Sequence, residues 1–170
     1  MSTSIDNPEV QAIRQSVTDS YNELIHLIEG RLSHLNTSKL YEIPEPGEWS
    51  LMESLAHISE FMPYWADEIA KLVAHPGQKF GRTKEDPDRI RAIEEHKEDA
   101  LDSVQSSLAR GHARLDQELS TLSDSDLTIK GVHSKFGEQT LAWFIQDFVT
   151  GHLTNHLEQM GRALAAVEAQ

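Results

Sequence analysis

The chain has no cysteine among its 170 residues. It therefore has no disulfide framework, no thiolate zinc site, no iron–sulfur cluster and no cysteine nucleophile. It also has no apolar run approaching the roughly 18 residues that a membrane-spanning helix needs. The N-terminus lacks the basic region and the apolar stretch of a signal peptide, so we expect a soluble, cytoplasmic protein.

Basic residues are scarce. The chain has 15 lysines and arginines against 28 aspartates and glutamates, which gives a formal net charge of −13. Because such a surface repels phosphate backbones, we expect no nucleic-acid partner. The length fits one domain over residues 1–170. Histidine is unusually frequent, with nine residues.

Four stretches of the sequence repeat apolar residues at intervals of three or four, as amphipathic helices do. They predict helices over about residues 8–36, 51–74, 87–122 and 138–168. Residues 123–137 read as a loop, and no segment alternates long enough to predict a strand. We predict an all-α protein, a four-helix bundle whose topology need not be simple up-down-up-down.

Two histidines in the last predicted helix, His152 and His156, are four residues apart. On a helical wheel both fall on the apolar, inward stripe, close to Ile145 and Val149. Two imidazoles one turn apart on one face can bind the same metal ion. The alternative is a pair of core histidines that are hydrogen-bonded to their neighbours.

A third metal ligand would have to come from another helix. His57 lies at the edge of the apolar stripe of the second predicted helix, and His112 lies near the apolar line of the third. His112 is thus a candidate for a fourth ligand or a base that faces the substrate. The remaining histidines fall on polar faces or at helix ends, where the wheel assigns them no role: His26, His34, His75, His96 and His133.

Three further polar residues lie near these histidines in the sequence. Two of them have two possible roles each, and the third has one. Glu53 follows Ser50 at the spacing of a capping box, but it could also orient a metal-binding histidine. Gln159 could orient such a histidine by a hydrogen bond, or it could satisfy another polar neighbour. We expect Glu60 to be solvated.

Two segments resemble the DinB-like (YfiT-like) family of four-helix bundles, and the resemblance extends over nearly the whole chain. In residues 47–61, a Trp-Ser pair leads to His57 after a Leu-Ala step, as in the second helix of that family. Residues 136–141, followed by His152, His156 and then Gln159, resemble its last helix. The resemblance implies that His57, His152 and His156 hold one divalent metal ion with open positions for water or substrate. Imidazole ligands suit Zn, Ni, Fe or Cu, and the sequence does not choose among them.

The resemblance also implies a function. It suggests a metal-dependent enzyme that activates water or a low-molecular-weight thiol, as an S-transferase, isomerase or hydrolase acting on a small molecule. A thiol would have to be a cosubstrate, because the chain has no cysteine. We expect a homodimer, and activity that falls below about pH 6, where histidines of ordinary pKa become protonated.

Two other functions stay open at this point. The chain could be a non-catalytic bundle that binds a metal or small molecule in a stress response, or a structural helical dimer whose histidines have lost their function. An open, polar cavity that reaches the three histidines would favour the enzyme, and a sealed one would favour the alternatives.

Overall fold

Helices form most of the computed structural model, which describes residues 6–170. In chain order they are α1 (Pro8–Gly30), α2 (Leu51–Ala74), α3 (Pro87–His96), α4 (Leu101–Ser120), α5 (Leu141–Ile145) and α6 (Gly151–Glu168). Helix α1 packs against α4 and α6, and α2 packs against the same two helices. Because α1 and α2 are thus diagonal partners, the topology is not simple up-down-up-down. Within the described part of the chain, no helix combines the length and apolar character needed to cross a membrane.

The apolar stripes of these helices meet in one core. Leucines spaced along α4 at Leu108, Leu115 and Leu119 are fully buried, and each contributes roughly 2 kcal/mol by leaving water. An aromatic cluster fills the part of the core next to the connecting loops; it consists of Trp65, Phe80, Phe144 and Phe148. The Phe80 and Phe144 rings stack with centroids 4.4 Å apart.

Helix α2 begins at a complete capping box. The Ser50 hydroxyl accepts a hydrogen bond from the Glu53 backbone N–H at 3.0 Å, and the Glu53 carboxylate accepts one from the Ser50 N–H at 2.8 Å. Of the two roles considered for Glu53, the structure thus shows the cap. The cap fixes where α2 starts, and thereby the place of His57 two turns into the helix.

The helix predicted over residues 87–122 is two helices, because the helical conformation is interrupted between His96 and Leu101. The His96 imidazole contacts the Asp99 carboxylate at 2.7 Å, and the Tyr41 hydroxyl donates to the Asp99 carbonyl at 2.8 Å. That carbonyl is therefore held by a side chain from outside the helix. The break gives α3 its own position beside α2.

The other predicted boundaries also change. The first helix ends at Gly30 and not near residue 36, because short 3-10 turns follow at Leu32–His34 and Thr37–Leu40. The expected loop over 123–137 contains the strand β1 (Lys130–His133), which pairs antiparallel with β2 (Gly137–Thr140). The last helical segment consequently starts at Leu141, not at residue 138.

Candidate metal centre

Three histidines from two helices meet with their ring nitrogens facing each other. His152 and His156 lie one turn apart on α6, and His57 projects from α2. The Nε2 atom of His152 lies 3.1 Å from Nε2 of His57 and 3.0 Å from Nε2 of His156. We call these residues the histidine triad; they form a group of potential metal ligands whose ligand atoms all lie within 4.8 Å of one another.

Burial keeps the histidine triad neutral. Removal from water lowers the pKa of His57 to about 2, that of His152 to about 3 and that of His156 to about 4. Removal from water is the largest cause of these values; the neighbouring histidines lower the pKa of His57 and His152 as well, the charge of Arg89 lowers all three, and the hydrogen bond with Gln159 opposes the lowering for His156. The ordinary pKa on which the expected loss of activity below pH 6 rested therefore does not apply to these residues.

Polar side chains lie behind the rings of His156 and His57. Nδ1 of His156 donates to the side-chain oxygen of Gln159 at 3.1 Å, which leaves Nε2 without a proton. Nδ1 of His57 faces a Glu60 carboxylate oxygen at 3.6 Å, and both atoms are buried with no hydrogen-bond partner among the described residues. The other Glu60 oxygen is paired with Arg82. Gln159 thus has the orienting contact that the sequence suggested.

The donor set fits a divalent cation. A neutral imidazole with its proton on Nδ1, as in His156, points a bare Nε2 lone pair toward the small space that Nε2 of His57 and of His152 also faces. Such lone pairs repel one another unless a proton or a cation lies between them. Imidazole nitrogens bound at about 2.1 Å to one ion lie roughly 3.0–3.4 Å apart, which agrees with the distances to His152.

A cavity of about 260 Å³ reaches the histidine triad. His57 and His152 form part of its wall. Aromatic side chains line one portion of the cavity and polar or charged side chains line the rest: Phe61, Trp65, Phe148, Arg82, Thr83, Lys84, Arg89, Asp147 and Asn155. The cavity thus has polar groups in its lining and reaches two of the three histidines.

A π-helical turn, Gln146–Thr150, joins α5 to α6 directly before His152. Gly151 makes that turn possible, because a Cβ atom there would lie 2.7 Å from the Gln146 carbonyl oxygen. Such turns shift the register of a helix and are frequent at functional sites. Here the turn places both Phe148 and His152 on the cavity wall.

His112 lies apart from the histidine triad. Its ring stacks on Tyr21 with centroids 4.1 Å apart, and Nε2 lies 3.4 Å from the Thr18 hydroxyl. Both partners belong to α1, so His112 joins α4 to α1. The structure places His112 neither among the grouped potential ligands nor on the cavity wall, so it gives no support to the idea of a fourth ligand or a base at this site.

Sequence reasoning missed three residues of the site. Glu60, expected to be solvated, is largely buried behind His57, and burial raises its pKa. The spacing of three residues between the two was the available signal. The Trp49 ring stacks over that of His156 at 5.9 Å, and Arg89 reaches the cavity from α3. Nothing in the wheel of α2 or α6 indicates either contact.

Comparison with known proteins places the chain in a family. The sequence model of the DinB superfamily matches residues 20–160, a range that includes the whole histidine triad. The chain belongs to the DinB superfamily. This confirms the family to which the two sequence segments pointed. None of the curated proteins is significantly similar to the chain in sequence.

Solved structures confirm the helical-bundle fold. YfiT from Bacillus subtilis, described as a probable metal-dependent hydrolase with an unusual four-helix bundle topology, is 15% identical to this DinB-superfamily chain. The similarity covers 96% of this chain and 90% of YfiT, with a TM-score of 0.72. TT2238, described as a four-helix bundle protein, is 16% identical, with a TM-score of 0.55 over 95% of this chain and 99% of its own.

Proposed function

We propose that this DinB-superfamily protein is a metal-dependent enzyme in which His57, His152 and His156 bind one divalent ion. The observation that carries the proposal is the convergence of three buried imidazoles, with Nε2 of His152 lying 3.1 Å from that of His57 and 3.0 Å from that of His156, beside a cavity whose wall includes His57 and His152. Zn, Ni and Fe all suit three imidazole ligands. When bound, such an ion supplies Lewis-acid chemistry, which polarises a substrate and acidifies water or a thiol.

The chain's own residues orient and shield this centre. Gln159 fixes the direction of the His156 lone pair by its hydrogen bond to Nδ1, and Glu60 lies behind the ring of His57 at 3.6 Å from Nδ1. Phe148 and the neighbouring aromatic rings form the apolar wall, which limits the access of bulk water.

The nucleophile of the proposed reaction comes from outside the chain. The sequence has no cysteine, and none of its serines stands in a Gly-x-Ser-x-Gly motif. Water or a low-molecular-weight thiol therefore remains as the attacking group. The description of YfiT as a probable metal-dependent hydrolase supports water. A thiol would make the protein an S-transferase or isomerase, as the resemblance implies.

The test starts from protein purified without a metal-affinity tag and examined by elemental analysis. Metal-loaded wild type, metal-free wild type and His156→Ala are then assayed with ester and amide libraries, with and without a low-molecular-weight thiol. We expect turnover only in the loaded wild type. Equal turnover in the metal-free protein would refute the proposal, and metal binding without any turnover would favour a non-catalytic binding protein.

We further propose that the protein is a homodimer. The apolar side chains of Val132 and Phe136 on the β1–β2 hairpin are 43% and 40% exposed, and they offer a surface for a second copy. Light scattering at micromolar concentration should give roughly twice the chain mass of 19.1 kDa. A mass of one chain would contradict the dimer.

A further inference from the structure

Positive charge gathers at the cavity, although the chain as a whole is strongly acidic. Arg82, Lys84 and Arg89 line the wall together with a single acidic residue, Asp147. The chain carries a formal charge of −13, so this clustering runs against its general charge balance. An excess of one charge sign in the lining of a cavity attracts ligands of the opposite sign.

Arg82 and Lys84 already have acidic partners. The Arg82 guanidinium is paired with Glu60 and lies 3.7 Å from Asp86, and its side chain is only 8% exposed. The Lys84 ammonium is 82% exposed and lies 3.9 Å from Glu85. The charge of Arg82 is thus balanced by neighbouring carboxylates, and the Lys84 side chain is mostly in solvent, so neither is a fixed, unbalanced cation in the cavity.

Arg89 differs from both. One of its guanidinium nitrogens donates to the Lys84 carbonyl at 2.9 Å, and its guanidinium carbon lies 5.4 Å from the centre of the Trp49 ring. Among residues 6–170, no carboxylate oxygen lies within ion-pair distance of Arg89. Its charge is half-buried; burial and Arg82 lower its pKa, and the more distant carboxylates of Glu60, Glu85 and Asp86 partly oppose that lowering. A half-buried guanidinium held against an aromatic face, with donors still free, is prepared to bind an anion.

We propose that Arg89 binds an oxyanion group of the substrate, so that this enzyme acts on small acids and not on neutral molecules. The inference rests on the proposed function for its catalytic meaning, whereas anion binding at Arg89 stands on the cavity alone. A planar guanidinium can donate two parallel hydrogen bonds to a carboxylate or a phosphate. Arg89 would thereby hold one end of the substrate in the cavity that the histidine triad borders.

Isothermal titration calorimetry with three probes tests this directly. Succinate represents carboxylates, inorganic phosphate represents phosphates, and succinamide is the neutral counterpart of succinate. We expect saturable binding of at least one anion. Succinamide should bind at least tenfold more weakly than that anion. The better of the two anions identifies the class of acid.

The variants are Arg89→Gln and its matched control Arg91→Gln. Arg91 lies on the same helix, but its side chain is 65% exposed and paired with Asp88 at 2.8 Å. We expect Arg89→Gln to weaken anion binding about tenfold to a hundredfold, because two charge-assisted hydrogen bonds are lost. Arg91→Gln should stay within twofold of wild type, and Arg89→Lys should recover part of the affinity. Circular dichroism melting verifies that each variant is folded.

Three results would overturn the inference: no saturable binding of either anion, equal binding by wild type and Arg89→Gln, or an equal loss in Arg91→Gln. Measuring the metal content of the same samples separates this inference from the proposed function. Anion binding that depends on Arg89 in a protein that binds no metal would refute the metal centre and leave the anion site standing. Metal binding without anion binding would do the reverse.

Discussion

The ring nitrogens of buried histidines need polar partners, and the histidine triad differs from the other buried or half-buried histidines in where these partners come from. His133 is buried on the hairpin, but its Nδ1 accepts from the Lys135 N–H at 3.0 Å and its Nε2 donates to the Arg82 carbonyl at 3.1 Å. His112 has the Tyr21 ring and a hydroxyl group. In the histidine triad, by contrast, the Nε2 atoms contact one another.

The difference shows what distinguishes a ligand histidine from a structural one. Burial alone does not, because His133 is as buried as His57, each being 2% exposed. The two kinds of histidine are distinguished by the direction of their free lone pairs. His133 uses both ring nitrogens in hydrogen bonds to protein groups, whereas a ligand histidine keeps one ring nitrogen free for an ion.

The largest expected difference between the two kinds of histidine is in metal affinity, and it is tested by comparing His156→Ala with His112→Ala. Because loss of a supporting group costs about tenfold to a hundredfold in metal affinity, loss of a ligand should cost more than about a hundredfold. His112→Ala should bind metal as wild type does. Titration against a chelating dye measures both affinities. An equal loss in the two variants would remove the distinction between the sites.

Glu60→Gln tests the support of His57. A neutral amide polarises the facing Nδ1–H less than a carboxylate, so metal affinity should fall about tenfold to a hundredfold. Glu53→Gln is the control on the same helix, since either residue type completes a capping box. The same titration applies, on samples shown to be folded by circular dichroism. If Glu53→Gln weakens metal binding as much as Glu60→Gln, the carboxylate behind His57 has no special role.

Two glycines of the last helix sharpen the comparison at the level of the backbone. Gly151→Ala places a methyl group against the Gln146 carbonyl and should lower the free energy of unfolding by about 1–3 kcal/mol. A Cβ at Gly161 meets nothing within 4 Å, so Gly161→Ala should raise it by up to about 1 kcal/mol. Urea denaturation of the metal-free variants measures both. If both substitutions change the free energy of unfolding in the same direction, the π turn does not require a glycine directly after it.

The pH dependence of the metal-free protein gives a graded effect on its stability. The pKa values of the histidine triad lie at about 2 to 4 when folded, below the ordinary 6.5 of the unfolded chain. The unfolded state therefore binds more protons below pH 6.5, so the free energy of unfolding falls as pH drops from about 6.5 toward 4. Each histidine contributes at most about 1.4 kcal/mol per pH unit.

Urea denaturation from pH 7 to pH 5 can assign this slope. His152→Ala should flatten it more than His112→Ala, because His112 is only half-buried and Asp116 opposes the lowering of its pKa. A slope that His152→Ala leaves unchanged would mean that the histidine triad is solvated or charged in the folded protein.

The sequence was sufficient where a pattern is local. The period of three to four predicted α1 and α2, and the spacing of His152 and His156 predicted that they share a face. Ser50 and Glu53 predicted the start of α2. Each of these features depends on residues within one or two turns of each other, so it can be predicted from the sequence alone.

The features that the sequence did not reveal depend on distant residues. The break before α4 is held by Tyr41, more than fifty residues away from Asp99. The four-residue strands are too short for an alternation to register, and β1 is also held by Gln78 and Phe80 through backbone hydrogen bonds. The role of Arg89 could not be predicted for the same reason, because its unpaired charge is visible only after α3 has a position.

X-ray absorption spectroscopy of the tag-free protein, loaded with one equivalent of Zn²⁺, tests the central claim most directly. The account predicts tight binding of one ion per chain, with three imidazole nitrogens at about 2.0–2.1 Å and their outer ring atoms visible as multiple scattering. His112→Ala should give the same spectrum. An ion surrounded by oxygen ligands, or by fewer than three imidazoles, would contradict a metal centre built from His57, His152 and His156.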